Sequence, residues 1–256
     1  MELRRLFNQD EVNYDNWRPR YVPELFQDIL AFSRLDGTGH ALEIGIGTGQ
    51  ATEPLLQTGC RLTAIDIGER MTDFVRHKFS HYEKFQAMNI DFESFQADPH
   101  SLDLIYSATA FHWIAEEIAY PKVRDLLKPQ GTLALFWNHA IVPYEGEDVY
   151  VAIRQAYQKY RPMDHSPALF GESDCQRMVE TLNRHGFCDP TVKLYHHTRT
   201  LRAKEYIALL NTYSDHRAMA APARLGLEQE IHDAILAAGD ALHIYNTIDL
   251  YLAHAQ

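Results

Sequence analysis

The stretch Leu42-Glu-Ile-Gly-Ile-Gly-Thr-Gly-Gln50 decides the fold of this chain. Its first half is an apolar run broken by Glu43, which is typical of a buried strand. Glycines then follow at every second position, as Gly45, Gly47 and Gly49. Glycine lets the backbone turn at positive φ and leaves no Cβ in the way of a ligand. A strand that enters such a turn, with a helix behind it, predicts a site where backbone N–H groups bind a nucleotide-like ligand.

The spacing of these glycines separates the turn from two common nucleotide-binding loops. The dinucleotide fingerprint Gly-x-Gly-x-x-Gly would need its third glycine where Gln50 stands. No Gly-Lys-Ser/Thr follows the turn, so a P-loop that grips phosphate is excluded. We therefore expect the turn to hold an adenosine without a pyrophosphate.

A second strand is predicted over Leu62–Ile67, because its residues are β-branched and apolar as in a parallel strand buried on both faces. Asp66 lies at its carboxyl end, about twenty residues after the glycine turn, where a carboxylate can accept both hydroxyls of a ribose. The alternative is that Asp66 caps the next helix. That helix is predicted over Glu69–Phe79, where apolar side chains recur at helical spacing.

Taken together, these residues resemble the first motifs of the class I S-adenosylmethionine-dependent methyltransferases. Asp91-Phe-Glu93 resembles the segment that this family writes as Asp-Ala-Glu. Phe111-His-Trp113 follows another predicted strand and resembles the type-11 branch, near trans-aconitate methyltransferase-like proteins. The leader residues Tyr14 and Arg18-Pro19 are similar to that branch's Tyr-x-x-x-Arg-Pro pattern, and Leu126–Trp137 is similar to its fifth strand and the helix end before it.

The resemblance implies an α/β fold with a Rossmann-like, seven-stranded, mostly parallel sheet, helices on both faces and a terminal antiparallel hairpin. It implies a single domain over residues 1–256 with helical cap insertions at about 139–171 and 202–238. Ligands bind at the carboxyl ends of strands in such sheets, and we expect the insertions near those ends. In the C-terminal half the patterns predict helices over Asp148–Tyr160, Glu172–His185, Lys204–Thr212 and Gly226–Ala238, and strands over Pro190–Leu201 and Ala241–Ile248.

The resemblance also implies S-adenosyl-L-methionine as the cofactor, with its ribose on Asp66 and its adenine beside Met71, Asp91 and Phe92. Met71 could equally fill the core, and Phe92 replaces a residue that is small in the family. The predicted cofactor-binding residues are Tyr14, Arg18, Glu43, Gly45, Gly47, Thr48, Gly49, Asp66, Ile67, Met71, Asp91, Phe92, Ala108, His112 and Trp113.

His112 is the candidate catalytic residue, because imidazole titrates near neutral pH and can act as a general base. The alternative is that His112 only shapes the cofactor pocket beside Trp113. A carboxylate nucleophile would need no base, which favours the structural interpretation.

The two insertions are rich in aromatic and histidine side chains, which either line an acceptor pocket or fill a small core of their own. We expect most of them to fill a core. They are Tyr144, Tyr150, Tyr157, Tyr160, His165, Phe170, Tyr206, Tyr213 and His216.

The composition of the chain argues against several classes of function. The chain has 256 residues, is 46% hydrophobic and carries a net charge of −11. We expect no nucleic-acid or membrane partner, because no basic face and no apolar run of about eighteen residues is visible. Three cysteines at unrelated spacings suggest free thiols in the cytoplasm, and no metal-binding cluster is visible.

The sequence therefore predicts a methyltransferase that acts on a small-molecule acceptor as a monomer or homodimer. A non-catalytic S-adenosylmethionine-binding or scaffold protein is the alternative. A nicotinamide-dependent oxidoreductase is disfavoured by the missing third glycine.

Overall fold

The computed structural model describes residues 11–141, 148–162 and 170–256. The strands in this part of the chain are β1 (His40–Ile44), β2 (Arg61–Asp66), β3 (Phe85–Asn89), β4 (Leu102–Ala108), β5 (Leu127–Ile141), β6 (Phe187–Leu201) and β7 (Leu242–Ala255). The helices are α1 (Glu11–Trp17), α2 (Pro23–Ser33), α3 (Glu53–Leu56), α4 (Glu69–Lys78), α5 (Glu116–Leu126), α6 (Asp148–Tyr160), α7 (Glu172–Arg184), α8 (Ala203–Leu210), α9 (Ser214–Arg217) and α10 (Ala221–Ala237).

The strands form one sheet in the order β3-β2-β1-β4-β5-β7-β6. Strands β1 to β5 pair in parallel, and β6 and β7 form a terminal antiparallel hairpin. The chain winds outward from β1 through β2 to β3 and then returns to β4 on the other side of β1. This reversal is a topological switch point, where open α/β sheets bind ligands outside the carboxyl ends of their strands. The predicted fold class is confirmed.

The core of the sheet follows from the apolar runs in the sequence. Leu42, Leu62 and Leu104 lie on neighbouring strands and are fully buried, as expected for parallel strands covered on both faces. Helix α2 begins at Pro23, whose fixed φ suits the first turn of a helix, and it contributes Ile29 to the core cluster that contains Leu62 and Leu104.

The chain divides into two compact units. The sheet unit comprises Pro19–Asn138, Gly171–Tyr195 and Ile248–Gln256. The insertion unit comprises Met1–Arg18, His139–Phe170 and His196–Thr247, as far as these segments are described. A second core of buried side chains lies within the insertion unit, with α6, α8 and α10 as its main contributors. A single domain with two cap insertions stays a prediction.

Several element boundaries differ from the prediction. Strand β7 continues to Ala255 and is thus seven residues longer at its carboxyl end than the predicted Ala241–Ile248. Helix α10 begins at Ala221 because Pro222 starts it, rather than at Gly226. The short helix α9 was not predicted. Strand β5 begins directly after α5, at Leu127, and contains an irregularity where its pairing with β4 shifts register and Gln130 adopts a φ of 66°.

Within the described ranges, no helix combines the length and the apolar character that are needed to cross a bilayer.

Candidate functional site

The glycine turn follows β1 directly at the switch point. Gly45, Gly47 and Gly49 have φ angles of 76°, 55° and 81°, which glycine adopts at little cost. The amide of Gly45 donates to the carbonyl oxygen of Ile65 at 2.9 Å, so the turn is tied to β2. A Cβ on Gly45 would lie 2.3 Å from the Cβ of Ala110, which belongs to the segment after β4. The turn therefore packs tightly on the end of the neighbouring strand.

Asp66 completes the predicted ribose site. Its Oδ2 accepts the amide of Gly47 at 2.9 Å, and its Oδ1 accepts the amide of Gly68 at 2.8 Å. Burial raises the pKa of Asp66, and these two backbone N–H groups oppose that rise. A carboxylate offers about four lone-pair positions, so two remain to accept the hydroxyls of a ribose. Asp66 thus links β2 to the glycine turn, and its chemistry fits the predicted cofactor. Gly68 is the N-cap residue of α4, and no side chain in the described ranges caps that helix, so the alternative in which Asp66 caps α4 is not borne out.

Glu43 lies beneath the turn and is only 1% exposed. Its Oε2 accepts hydrogen bonds from the hydroxyls of Thr52 at 2.7 Å and Tyr106 at 2.8 Å. Burial raises the pKa of Glu43 to about 7, the two hydroxyls oppose the rise and the charge of Asp66 adds to it. Tyr106, on β4, was not predicted as a site residue because in sequence it is one more aromatic residue of an apolar strand.

Helix α4 holds the turn from its other side. The Nζ of Lys78 donates to the carbonyl oxygen of Thr48 at 2.9 Å. A Cβ on Gly49 would lie 2.5 Å from the ring of Phe79. Neither Lys78 nor Phe79 was predicted to act on the turn, since nothing in the helical pattern separates them from ordinary core and surface positions.

The residues predicted to border the adenine differ in how deeply they are buried. Met71 and Phe92 are each only 2% exposed, as the core-filling interpretation of Met71 requires. Ile67, directly after Asp66, is half-buried. The Oδ1 of Asp91 accepts the amide of Ser94 at 2.6 Å, which orders the segment after β3. Contacts between these side chains and an adenine stay predictions.

The carboxyl end of β4 carries Ala108 and then a 3-10 turn over Phe111–Trp113. The Oγ of Ser107 donates to the carbonyl oxygen of Ile44 at 2.8 Å, which joins β4 to the end of β1. Within the 3-10 turn, the side chain of His112 is exposed, and its Nδ1 lies 3.0 Å from the Nε1 of Trp137 on β5. Trp137 was matched in sequence only as part of the fifth strand, and its contact with His112 was missed.

Tyr14 and Arg18 belong to the insertion unit. The Nη2 of Arg18 donates to the carbonyl oxygen of Thr212 at 2.8 Å. Its guanidinium lies over the ring of Tyr14 at 4.8 Å and over the ring of Tyr213 at 4.4 Å, both measured to the ring centroid. The contribution of Tyr14 and Arg18 to cofactor binding stays a prediction.

The aromatic residues of the insertions mostly fill the core of their own unit. Tyr150 and Tyr206 are buried in it, and Tyr160 and Tyr213 pack against it. The hydroxyl of Tyr157 lies 3.0 Å from the Nε2 of the buried His216. Phe170 stacks on His139. The structure thus supports the core interpretation for most of the set, while Tyr144 and His165 lie outside the described residues.

As to metals, the described part of the chain brings no three His, Cys, Asp or Glu side chains into a group that could hold an ion.

Comparisons with known proteins agree with the geometry. The model of a methyltransferase domain matches residues 42–135, which include the glycine turn, Asp66 and the turn after β4. A methyltransferase-like protein of Schizosaccharomyces pombe is 28% identical over 82% of this chain and 78% of its own length. A second methyltransferase from that yeast is 31% identical, and the alignment covers 52% of this chain and 53% of that one. The chain thus spans about half the length of this second relative.

Solved structures of methyltransferases share the fold. A candidate type II methyltransferase from Anaeromyxobacter dehalogenans is 20% identical, with a TM-score of 0.64 over 93% of this chain and 98% of that one. Phosphoethanolamine N-methyltransferase 2 from Haemonchus contortus, solved with S-adenosyl-L-methionine, is 14% identical with a TM-score of 0.56 over 99% of this chain and 60% of that one. With its glycine turn, its Asp66 carboxylate and its switch-point sheet, the chain contains a methyltransferase domain over residues 42–135 that resembles those of the class I S-adenosylmethionine-dependent methyltransferases.

Proposed function

We propose that this chain transfers the methyl group of S-adenosyl-L-methionine to a small-molecule acceptor. The observation that carries the proposal is the hydrogen bond between the amide of Gly47 and Asp66. It joins the glycine turn to a carboxylate with acceptor capacity at the switch point of the sheet, the arrangement that an adenosine with a free ribose needs.

The reaction requires little chemical activation by the protein. S-adenosylmethionine supplies a methyl group that is already activated on a sulfonium. The protein must align donor and acceptor, and alignment alone can supply about 7–11 kcal/mol of a barrier. Asp66 and the glycine turn are suited to orient the adenosine. Ala110 and the 3-10 turn after β4 stand directly beside Gly45, so this segment is suited to border the reacting end.

Two observations support a small-molecule acceptor: the net charge of the chain and the substrates named for its structural relatives. The net charge of −11 disfavours a nucleic-acid substrate, which normally meets a basic face. Structural relatives include a phosphoethanolamine N-methyltransferase and a geranyl diphosphate methyltransferase. The first of these methylates nitrogen. A geranyl diphosphate methyltransferase from Streptomyces coelicolor is a C-methyltransferase. The fold therefore leaves the acceptor atom of this chain open.

Labelled methyl transfer tests the proposal against a non-catalytic cofactor-binding protein. Calorimetry with S-adenosylmethionine, S-adenosylhomocysteine and NAD first establishes binding, and we expect the two adenosyl compounds to bind and NAD not to bind. A panel of small acceptors with labelled cofactor then tests turnover. Cofactor binding without transfer to any member of a chemically broad panel would favour the non-catalytic alternative.

We also infer that the protein acts in a reducing compartment, the cytoplasm, as a monomer or homodimer. Cys60, Cys175 and Cys188 are free thiols, which supports this inference. Cell fractionation tests the location, and light scattering at several concentrations tests the oligomeric state.

A further inference from the structure

The contact between His112 and Trp137 fixes which nitrogen of the imidazole carries a proton. The Nε1 of Trp137 lies 3.0 Å from the Nδ1 of His112. Indole nitrogen can only donate a hydrogen bond, whereas each nitrogen of a neutral imidazole either donates or accepts. Nδ1 must therefore present its lone pair to Trp137. The neutral ring then carries its hydrogen on Nε2.

Trp137 is itself held in place within the sheet unit. Its backbone amide donates to the Oδ1 of Asp249 on β7 at 3.0 Å, and Asp249 is 2% exposed. Its indole meets the ring of Tyr251 edge-on, with centroids 6.0 Å apart. The preceding residue, Phe136, accepts the amide of Thr109 at 2.8 Å, close to the start of the 3-10 turn. The donor that faces His112 is thus anchored by two neighbouring strands.

The other nitrogen of His112, Nε2, is not engaged by the described part of the protein. The side chain is exposed, and no residue of the described ranges bonds its Nε2. Partial desolvation lowers the pKa of His112, and no charged neighbour contributes to that shift. Protonation would also place an Nδ1–H against the N–H of Trp137, which opposes it further. At neutral pH His112 is therefore a neutral ring whose Nε2–H group has no partner in the described ranges.

We propose that Trp137 is a positioning residue that holds His112 as a fixed Nε2–H donor toward the methyl acceptor. The proposal rests on the proposed function and restricts the chemical class of the methyl acceptor. The acceptor must present a lone pair to His112, and His112 does not remove a proton from it. An acceptor group that carries only N–H donors at this point, such as an ammonium, is disfavoured.

The tautomer can be measured without any acceptor. In protein labelled with ¹⁵N in its histidines, a long-range proton–nitrogen spectrum distinguishes a protonated Nε2 from a protonated Nδ1. The spectrum of His112→Gln assigns the His112 signals among the 14 histidines. We expect wild type to show the Nε2–H form. An Nδ1–H form in wild type overturns the proposal, and this reading needs no variant of Trp137.

Trp137→Phe then tests the positioning role. We expect this variant to populate both tautomers of His112 and to raise the pKa of His112 in an NMR titration, because Nδ1 is released. Trp17→Phe is the matched control, since it removes an indole from the insertion unit and should leave the His112 spectrum unchanged. An unaltered tautomer and pKa in a folded Trp137→Phe protein would overturn the positioning role.

The hydrogen bond from the Nε2–H group of His112 to an acceptor is tested with two small probes, in protein saturated with S-adenosylhomocysteine. Acetate can only accept hydrogen bonds and guanidinium can only donate them. We expect acetate, and not guanidinium, to shift the Nε2–H signal of wild type. At a pH well above the pKa of His112, the apparent acetate affinity should fall by about twofold in Trp137→Phe, because only about half of the neutral rings then carry the proton on Nε2.

The outcomes separate the two proposals. If S-adenosylhomocysteine alone occupies the Nε2–H group and acetate has no effect, His112 serves the cofactor and the acceptor role is overturned. If S-adenosylhomocysteine fails to bind wild type in calorimetry, the proposed function fails, while the tautomer measurement remains valid by itself.

Discussion

The two units of the molecule place their polar groups in different ways. In the sheet unit, the carboxylate of Asp66 bonds backbone amides of the glycine turn and of the start of α4. In the insertion unit, polar atoms such as the hydroxyl of Tyr157 and the imidazole of His216 bond one another inside a core. Backbone donors in a fixed turn can be shared with a ligand, whereas the bonded atoms of Tyr157 and His216 are engaged with each other.

This difference indicates where sequence change should alter binding and where it should alter stability. We expect substitutions around the glycine turn to change cofactor affinity beyond any change in folding. Substitutions among the aromatics that form the core of the insertion unit should change the free energy of unfolding and spare cofactor affinity. The following predictions test that division, beginning with the largest effect.

Gly45→Ala should have the largest effect on the sheet unit. The added Cβ would lie 2.3 Å from the Cβ of Ala110, at a φ of 76° that disfavours any side chain. Strain and clash together should cost about 3 kcal/mol or more, so the Kd for S-adenosylmethionine in calorimetry should rise by at least about 100-fold.

The matched control for this prediction is Gly171→Ala, because a Cβ on Gly171 would meet no atom within 4 Å. We expect this variant to bind the cofactor as wild type does. Near-wild-type binding by Gly45→Ala would show that the turn adapts freely. It would contradict the view that changes around the glycine turn act on cofactor affinity.

Glu43→Gln should change how stability depends on pH. The folded-state pKa of Glu43 is raised from 4.5 to about 7, so the folded protein holds this proton more tightly than the unfolded chain. Its stabilising contribution is complete below pH 4.5 and is lost as pH rises through about 7. The loss amounts to about 3 kcal/mol.

Urea denaturation at a series of pH values measures this effect as the difference between wild type and Glu43→Gln. Glu53→Gln, which neutralises an exposed carboxylate of α3, is the control and should follow wild type. A wild-type-minus-variant difference that stays constant between pH 4.5 and 7 would contradict the prediction.

Asp66→Asn should weaken cofactor binding by a smaller but clear amount. The new amide cannot accept from both Gly47 and Gly68, so one backbone N–H group faces an N–H group of the side chain. A hydrogen bond to a charged group is worth about 2 kcal/mol, which corresponds to about 30-fold in Kd. Asp73→Asn, at an exposed position of α4, serves as the control. An affinity for S-adenosylmethionine within twofold of wild type would remove Asp66 from the ribose site.

Tyr157→Phe should have the smallest effect, and on stability alone. It removes the partner of the Nε2 of buried His216, whose Nδ1 also has no partner among the described residues. We expect the free energy of unfolding to fall by about 1 kcal/mol and the cofactor Kd to stay unchanged. Tyr245→Phe, at an exposed position of β7, is the control. A cofactor Kd that rises with Tyr157→Phe would extend the binding role to the insertion unit.

Strands β1, β2 and β4 could be predicted from the sequence because they are short apolar runs. The glycine turn and Asp66 were predicted because a single backbone geometry needs those residue types at that spacing. Contacts across the fold could not be predicted. Trp137 lies 25 positions from His112 in the chain, and Tyr106 lies 63 positions from Glu43. Only the register of neighbouring strands brings each pair together.

The boundaries that were missed have a similar cause. The alternation that marked the last strand weakens after Ile248, where nearly every residue of β7 up to Ala255 is buried. A strand buried on both faces no longer shows a polar side in its sequence. Its full length is therefore set by its neighbours in the sheet.

The place of β7 between β5 and β6 bears on how the protein is made. Until residues 242–255 have been synthesised, β5 is an open sheet edge and β6 has no adjacent strand to join. Exposed edges of this kind invite pairing with other chains, and pairings between distant segments form slowly. The sheet therefore cannot be completed until β7 has been synthesised. Chaperone demand, or aggregation during overexpression, should be greatest in the interval before β7 emerges.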